Sequence, residues 1–264
     1  LKLQRLGKGA SSSVYMAVCV RTLAVVALKE SPIRTAADRD AVRSELQALR
    51  TQRSPLMDRS FVGDDTASPH IVRFYGGVML QERTAVLAVE LVAGGSLQAF
   101  IDRGSPAPEP WLAHVAHSCL LALQTLHENG RTHRDIKPAN CLITCEGDAK
   151  LADFGCASGD LGRRMVGTRR YLPPEVLKGE AVLPKSDVWS FGLTMAAAAC
   201  ADPPVAQAQN EFEQLQAAER VRTTIAQLHN ISPQLRDFLS LCLVVNPSER
   251  ASIAELLEHP FLQR

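Results

Sequence analysis

The sequence predicts an α+β fold in two lobes, a small β-rich one carrying one helix and a larger, mainly helical one. Three features predict it. Strand-like runs dominate residues 1–89, "AGG" at 93–95 supplies a joint free of bulky side chains, and beyond it apolar residues recur at helical spacing. The expected organisation is one domain over 1–264, with an N-lobe at 1–89, a hinge at 90–95 and a C-lobe at 96–264.

In the N-lobe, "LKLQRLGKG" and "SSVYMAVCV" read as two strands around a glycine turn, and "LAVVALKE" as a third. "AADRDAVRSELQALR" is helical: Val42, Leu46 and Leu49 share a face and no Gly or Pro interrupts. Residues 52–69 are polar and turn-forming, a long surface loop. "HIVRFYGGVML" and "TAVLAVELV" are two more strands. In the C-lobe, Trp111, Val115, Cys119, Leu123 and Leu126 recur at helical spacing, and Asn129-Gly130 supplies a stop. "CLIT" and "AKLAD" form a small hairpin around Gly147-Asp148. Further helices are expected in "SDVWSFGLTMAAAAC", "SPQLRDFLSLCL" and "SIAELLEH", with Ser186, Ser232 and Ser252 at the N-cap positions.

Composition narrows the class. A net charge of +1 offers no electrostatic case for nucleic-acid or membrane binding. The 7 cysteines are scattered, odd in number and lack a C-x-x-C pair, which predicts free thiols in a reducing, cytoplasmic compartment. No signal peptide and no apolar run of bilayer length is visible. A start at Leu1 without Met implies a domain cut from a longer chain.

Several groups carry chemistry. In "LGKGASSSV", Gly7 and Gly9 between strands let backbone N–H groups approach a bulky anion, although the same residues suit a plain hairpin. Lys29 ends an apolar strand; it either snorkels or, pointing inward, pairs with Glu45. "HRDIKPAN" and "LADFG" place Asn140 and Asp153 on neighbouring loops, oxygen donors that suit magnesium held jointly with phosphates. Asp135 can orient a hydroxyl or accept its proton, Lys137 can neutralise charge on a transferring group, and His133 reads as a packed core histidine.

In this order, "GKGASSSV", "VALK", Glu45, "HRDIKPAN", "DFG", "GTRRYLPPE", "SDVWSFG" and "NPSERASIAELLEHPFL" make the chain resemble a eukaryotic protein kinase catalytic domain of Ser/Thr type over nearly its whole length. The resemblance implies a protein-kinase-like fold that moves the γ-phosphoryl of ATP to protein hydroxyls with Mg2+. It places Leu6, Val14, Ala27 and Leu142 around adenine, Glu90 and Val92 at its edge, and Val89 as gatekeeper. Gly7, Lys8, Gly9, Ala10, Ser11, Ser12 and Ser13 form the phosphate loop, with Ser12 in place of its third glycine. Lys29, paired with Glu45, would hold the α- and β-phosphates, Asn140 and Asp153 the metal. Asp135 would align the hydroxyl and Lys137 meet the γ-phosphate, with Thr168 contacting both. Leu49, Phe74, His133 and Phe154 match a column linking the lobes above Asp187, and Glu175 with Arg250 a buried ion pair. Pro173-Pro174-Glu175 replaces the usual Ala-Pro-Glu.

Between Phe154 and Thr168 the only hydroxyl residue is Ser158, so activity is expected to depend little on loop phosphorylation or on Ser158 alone. Ser96 and Ala139 stand where acids would favour basic substrates. Arg163, Arg164, Arg169 and Arg170 read either as solvated loop residues or as attraction to acidic or phosphorylated substrates. "VGTRRYLPPEVLKGE" and "SDVWSFGLT" are most similar to the mitogen-activated protein kinase kinase group, which implies protein substrates, a downstream kinase among them, and Thr/Tyr dual specificity as an alternative. The competing class is a non-catalytic pseudokinase scaffold.

Overall fold

The computed structural model describes residues 1–9, 12–49, 68–81, 83–157, 167–201 and 210–263. Ala10, Ser11, Ser158, Arg163, Arg164 and nearly all of the 52–69 loop lie outside them.

Strands β1 (Lys2–Lys8), β2 (Ser13–Val18), β3 (Val25–Pro32), β4 (Phe74–Leu80) and β5 (Thr84–Glu90) form an antiparallel sheet of order β1-β2-β3-β5-β4. Helix α1 (Ala36–Leu49) lies between β3 and β4 in the chain and buries Val42, Glu45, Ala48 and Leu49. Its first turn is tied by Asp38, whose Oδ2 accepts the N–H groups of Arg34 and Thr35. The strand expected from His70 starts only at Phe74; before it, Ile71 bridges singly to Leu151. That bridge joins the N-lobe edge to the C-lobe hairpin.

Two positions of the joint at 93–95 need glycine, one for space and one for its backbone angle. A Cβ at Gly94 would lie 2.4 Å from the Ile143 carbonyl oxygen, and Gly95 takes φ +83°. The Gly95 carbonyl accepts the Ile143 N–H at 2.8 Å, pinning the joint to the hairpin of β6 (Cys141–Ile143) and β7 (Ala149–Leu151).

The C-lobe holds α2 (Leu97–Ile101), α3 (Glu109–Glu128), α4 (Pro174–Leu177), α5 (Pro184–Cys200), α6 (Glu211–Ala226), α7 (Pro233–Cys242) and α8 (Ile253–Leu257). Every residue of α5 from Ser186 to Ala199 is buried, so this helix is the axis of the lobe. A Cβ at Gly192 would meet Cys242 Cβ at 2.6 Å, which shows how closely α7 approaches it. Among the described residues no helix is long and apolar enough to cross a membrane, and the cysteines are free thiols.

Two N-cap expectations hold: Ser232 caps α7, and Ser252 caps α8 in a capping box with Glu255. The third is corrected. Helix α5 begins three residues earlier than an N-cap at Ser186 implies, because Pro184, with φ preset and no N–H to satisfy, takes the first position after Leu183. Ser186 therefore sits in the first turn, where its Oγ accepts the Leu183 N–H at 3.0 Å and donates to Glu175 Oε1 at 2.9 Å.

Candidate active site

Two charged clusters face one cleft of ≈ 320 Å³, lined among others by Gly9, Ser12, Lys29, Asp135, Asp153 and Thr168. In the first, Lys29 Nζ reaches Glu45 Oε1 and Asp153 Oδ1, both at 2.6 Å. The inward reading of Lys29 holds. Three elements meet there, β3, α1 and the loop after β7.

The second cluster is built on the catalytic-type loop. Lys137 Nζ donates to Asp135 Oδ2 at 2.7 Å and to Thr168 Oγ1 at 2.8 Å. Asp135 Oδ1 accepts from the Thr168 N–H at 2.8 Å and from its hydroxyl at 2.9 Å. Asn140 Nδ2 donates to the Asp135 carbonyl at 2.8 Å, which orients its amide, and its own carbonyl accepts the Ala152 N–H at 3.0 Å. The Asn140 and Asp153 loops are thus stitched side by side. Each loop carries one hard oxygen donor of the kind that magnesium takes from protein when phosphates supply the rest, and Asp153 lines the cleft.

Both loops contain left-handed non-glycine residues, Arg134 at φ 69° and Asp153 at φ 63°. Such conformations cost on the order of 1–3 kcal/mol each and need external restraint. For Arg134 it comes from Asp187 on α5, whose Oδ1 accepts the Arg134 N–H and Oδ2 the His133 N–H, each at 2.8 Å; for Asp153 it comes from Lys29 at 2.6 Å. His127, which the sequence did not single out, holds Asp187 Oδ2 from α3 at 2.8 Å. Of the expected column, His133 and Phe154 pack with ring centroids 4.9 Å apart at a tilt of 51°, and Leu49 and Phe74 are buried in the same hydrophobic core as Phe154. Glu175 and Arg250 form a bidentate pair at 2.8 and 2.9 Å, both buried.

A family model for the protein kinase domain matches residues 1–262. The chain belongs to the protein kinase family. It is 31% identical over 269 residues to mitogen-activated protein kinase kinase kinase 3 of Arabidopsis thaliana, covering 99% of this chain and 40% of that protein. It is 33% identical to serine/threonine-protein kinase PAK mbt of Drosophila melanogaster over 269 residues, 98% of this chain and 39% of that protein. It is also 33% identical to mitogen-activated protein kinase kinase 5 of Leishmania mexicana over 273 residues, 98% and 49%. The chain thus spans less than half the length of each.

Within this kinase domain, burial would lower the pKa of Lys29, but the Glu45 and Asp153 carboxylates override it and hold the ammonium charged. Burial would raise Asp153; the Lys29 ammonium keeps it below the usual carboxylate range. For Glu45 burial outweighs the pull of Lys29 and its carboxyl sits high. Burial also lowers the pKa of His133, whose Nε2–H can then donate to the Ala152 carbonyl while Nδ1 accepts the Asp135 N–H. It is a packed histidine, as expected.

Around the expected nucleotide slot, Ala27 is buried, Val14, Val89, Val92 and Leu142 are half-buried, and Leu6 is exposed. Glu90 Oε2 accepts from Lys150 Nζ at 3.0 Å and from the Arg73 N–H at 3.1 Å, which turns its side chain to the back of the hinge. Gly7, Lys8, Gly9 and Ser13 lie at the β1–β2 turn with Ser12, and Gly9 N–H donates to the Ser12 carbonyl at 2.8 Å. Arg169 is exposed and Arg170 half-buried beside Tyr171.

Three cleft neighbours escaped the sequence reading. Cys156 lines the cleft with a thiol pushed up to about 11 by burial and by the Asp135 and Asp153 carboxylates, so it stays neutral. Ser44 donates from Oγ to the Ala157 carbonyl, tying α1 to the segment after Asp153. Gly167 packs so closely that a Cβ would lie 2.4 Å from the Arg134 carbonyl oxygen; its place beside Thr168 was the one available signal.

Proposed function

We propose that residues 1–264 work as one catalytic unit, with lobes 1–89 and 96–264 about a hinge at 90–95, that moves the γ-phosphoryl of ATP to Ser or Thr hydroxyls of protein substrates. The observation that carries this reading is the convergence of the Lys29–Glu45–Asp153 and Asp135–Lys137–Thr168–Asn140 networks on one cleft. Asp135 accepts or orients the acceptor hydroxyl's proton, and its two bonds from Thr168 hold the carboxylate still. Lys137, and Lys29 braced by Glu45, offset phosphate charge at fixed positions. Asn140 and Asp153 hold Mg2+, which when bound neutralises phosphate charge. Leu6, Val14, Ala27 and Leu142 enclose adenine, with Val89, Glu90 and Val92 at its edge; Gly7 to Ser13, including Lys8, Ala10, Ser11 and Ser12, cover the phosphates.

The relatives named as mitogen-activated protein kinase kinases and kinase kinase kinases support a signalling role with a kinase among the substrates; a cytoplasmic location follows from the free thiols, and Thr/Tyr dual specificity is the second reading. Titration with ATP and magnesium tests the nucleotide site. The melting midpoint should rise with both present and the rise should shrink in Lys29→Met. No rise at millimolar ATP would overturn the proposal and favour a scaffold.

A further inference from the structure

A second pocket, of ≈ 140 Å³, lies between α1 and the end of α3 and shares no lining residue with the cleft. Ile71 and Leu126 give it an apolar floor, and Gln47, Thr125, Asn129 and Arg131 its polar wall. Most of that wall is already committed: Thr125 Oγ1 donates to the Leu121 carbonyl, and Asn129 Nδ2 to the Thr125 carbonyl. Arg131 is different. One of its amino groups makes a long bond, 3.4 Å, to the Ser44 carbonyl, while its buried Nε–H has no acceptor among the described residues. Because water cannot reach that Nε–H, an occupant of the pocket meets the guanidinium through its amino groups, and a pair of such groups is shaped for an oxyanion.

The simpler role, capping the negative end of α3, does not account for Arg131. The last carbonyls of that helix, those of Thr125, Leu126 and His127, accept backbone N–H groups from Asn129, Arg131 and Gly130. The guanidinium instead reaches across to α1. Burial lowers its pKa, and no carboxylate among the described residues pulls it back.

We propose that this pocket binds a single oxyanionic group, a carboxylate or a phosphate, held by the Arg131 guanidinium with the Gln47 amide at the rim. The volume admits one such group and little more. Because Arg131 also holds the Ser44 carbonyl, one residue ahead of Glu45, the occupant braces α1 from behind and acts on the Lys29–Glu45 pair without touching the cleft.

The test is thermal melting with the cleft filled by a non-hydrolysable ATP analogue and magnesium, in millimolar phosphate, acetate or chloride at matched ionic strength. Phosphate or acetate should raise the midpoint above chloride, by roughly 3–5 °C at tenfold excess over Kd. The more effective arm names the oxyanion. Arg131→Leu should abolish the difference. Gln47→Glu, which supplies a carboxylate from the chain itself, should raise the midpoint in chloride and remove the response. Equal midpoints in all three salts, or a shift that survives Arg131→Leu, would overturn the proposal. If Arg131→Leu fails to fold, Gln47→Glu decides, and an undiminished response to phosphate and acetate overturns it.

Discussion

Replacing Arg250 by Met keeps an unbranched side chain but strips the charge from a fully enclosed position. Arg250 and Glu175 are 1% and 3% exposed, so water cannot stand in for the missing partner. The guanidinium makes two bonds to Glu175, at 2.8 and 2.9 Å, and donates to the Val244 and Lys185 carbonyls at 2.9 and 2.5 Å. After the substitution Glu175 keeps the Ser186 hydroxyl at 2.9 Å and a charge with nothing to balance it. Breaking a buried pair from one side costs about 3–5 kcal/mol, a large part of a net stability of roughly 5–15 kcal/mol. At about 2–4 °C per kcal/mol the midpoint should fall by roughly 10 °C. Adding Glu175→Gln removes the stranded charge while keeping an acceptor for Ser186, so the double variant should melt above Arg250→Met alone. The reasoning fails if Arg250→Met loses less than about 1 kcal/mol in a denaturant titration, or if Glu175→Gln deepens its loss by the full amount it costs alone.

Other perturbations separate the remaining parts. Burial lowers the folded-state pKa of His133, and Asp187 is held low against burial by His127, so the unfolded chain binds more protons at both positions. Their contribution to stability should therefore be complete above about pH 6.5 and decline as pH falls, with a further loss below about pH 4, opposed by Glu45, whose raised carboxyl binds protons more readily in the folded state; a urea midpoint no lower at pH 5 than at pH 8 would contradict this. In Gly167→Ala the new Cβ must displace the Arg134 carbonyl at a φ of +103°, which shifts Thr168 away from Asp135. That should lower kcat on the order of tenfold to a hundredfold with a small effect on nucleotide-induced stabilisation; an unchanged kcat would sink it. Ser44→Ala strands the Ala157 carbonyl and loosens α1. The KM for ATP should rise roughly threefold to tenfold, with Ser44→Thr restoring it; equal KM values in all three forms would refute the tie.

The catalytic-type loop was legible because its chemistry is contiguous: "HRDIKPAN" carries Asp135, Lys137 and Asn140 on one short stretch. Helix α3 was legible from its spacing and its Asn129-Gly130 stop. Helix α6 was not, since its buried residues Ala218, Val221 and Ile225 form a thin stripe among polar neighbours. Helices α2 and α4, at 5 and 4 residues, are too short to show a period. The start of α5 is not where Ser186 suggests, because Pro184 takes the first helical position and leaves the serine inside the first turn. Long-range closures such as Asp187 on the strained Arg134 leave no local trace, for arginine has no preference for positive φ.

The central claim is that the two clustered networks move a phosphoryl group, and transfer of label from the γ-phosphate of ATP to a generic protein substrate tests it directly. The account predicts incorporation on Ser or Thr that falls on the order of a hundredfold or more in Asp135→Asn while the fold and nucleotide binding persist. Absence of incorporation by the parent chain, or equal incorporation by the variant, would contradict it.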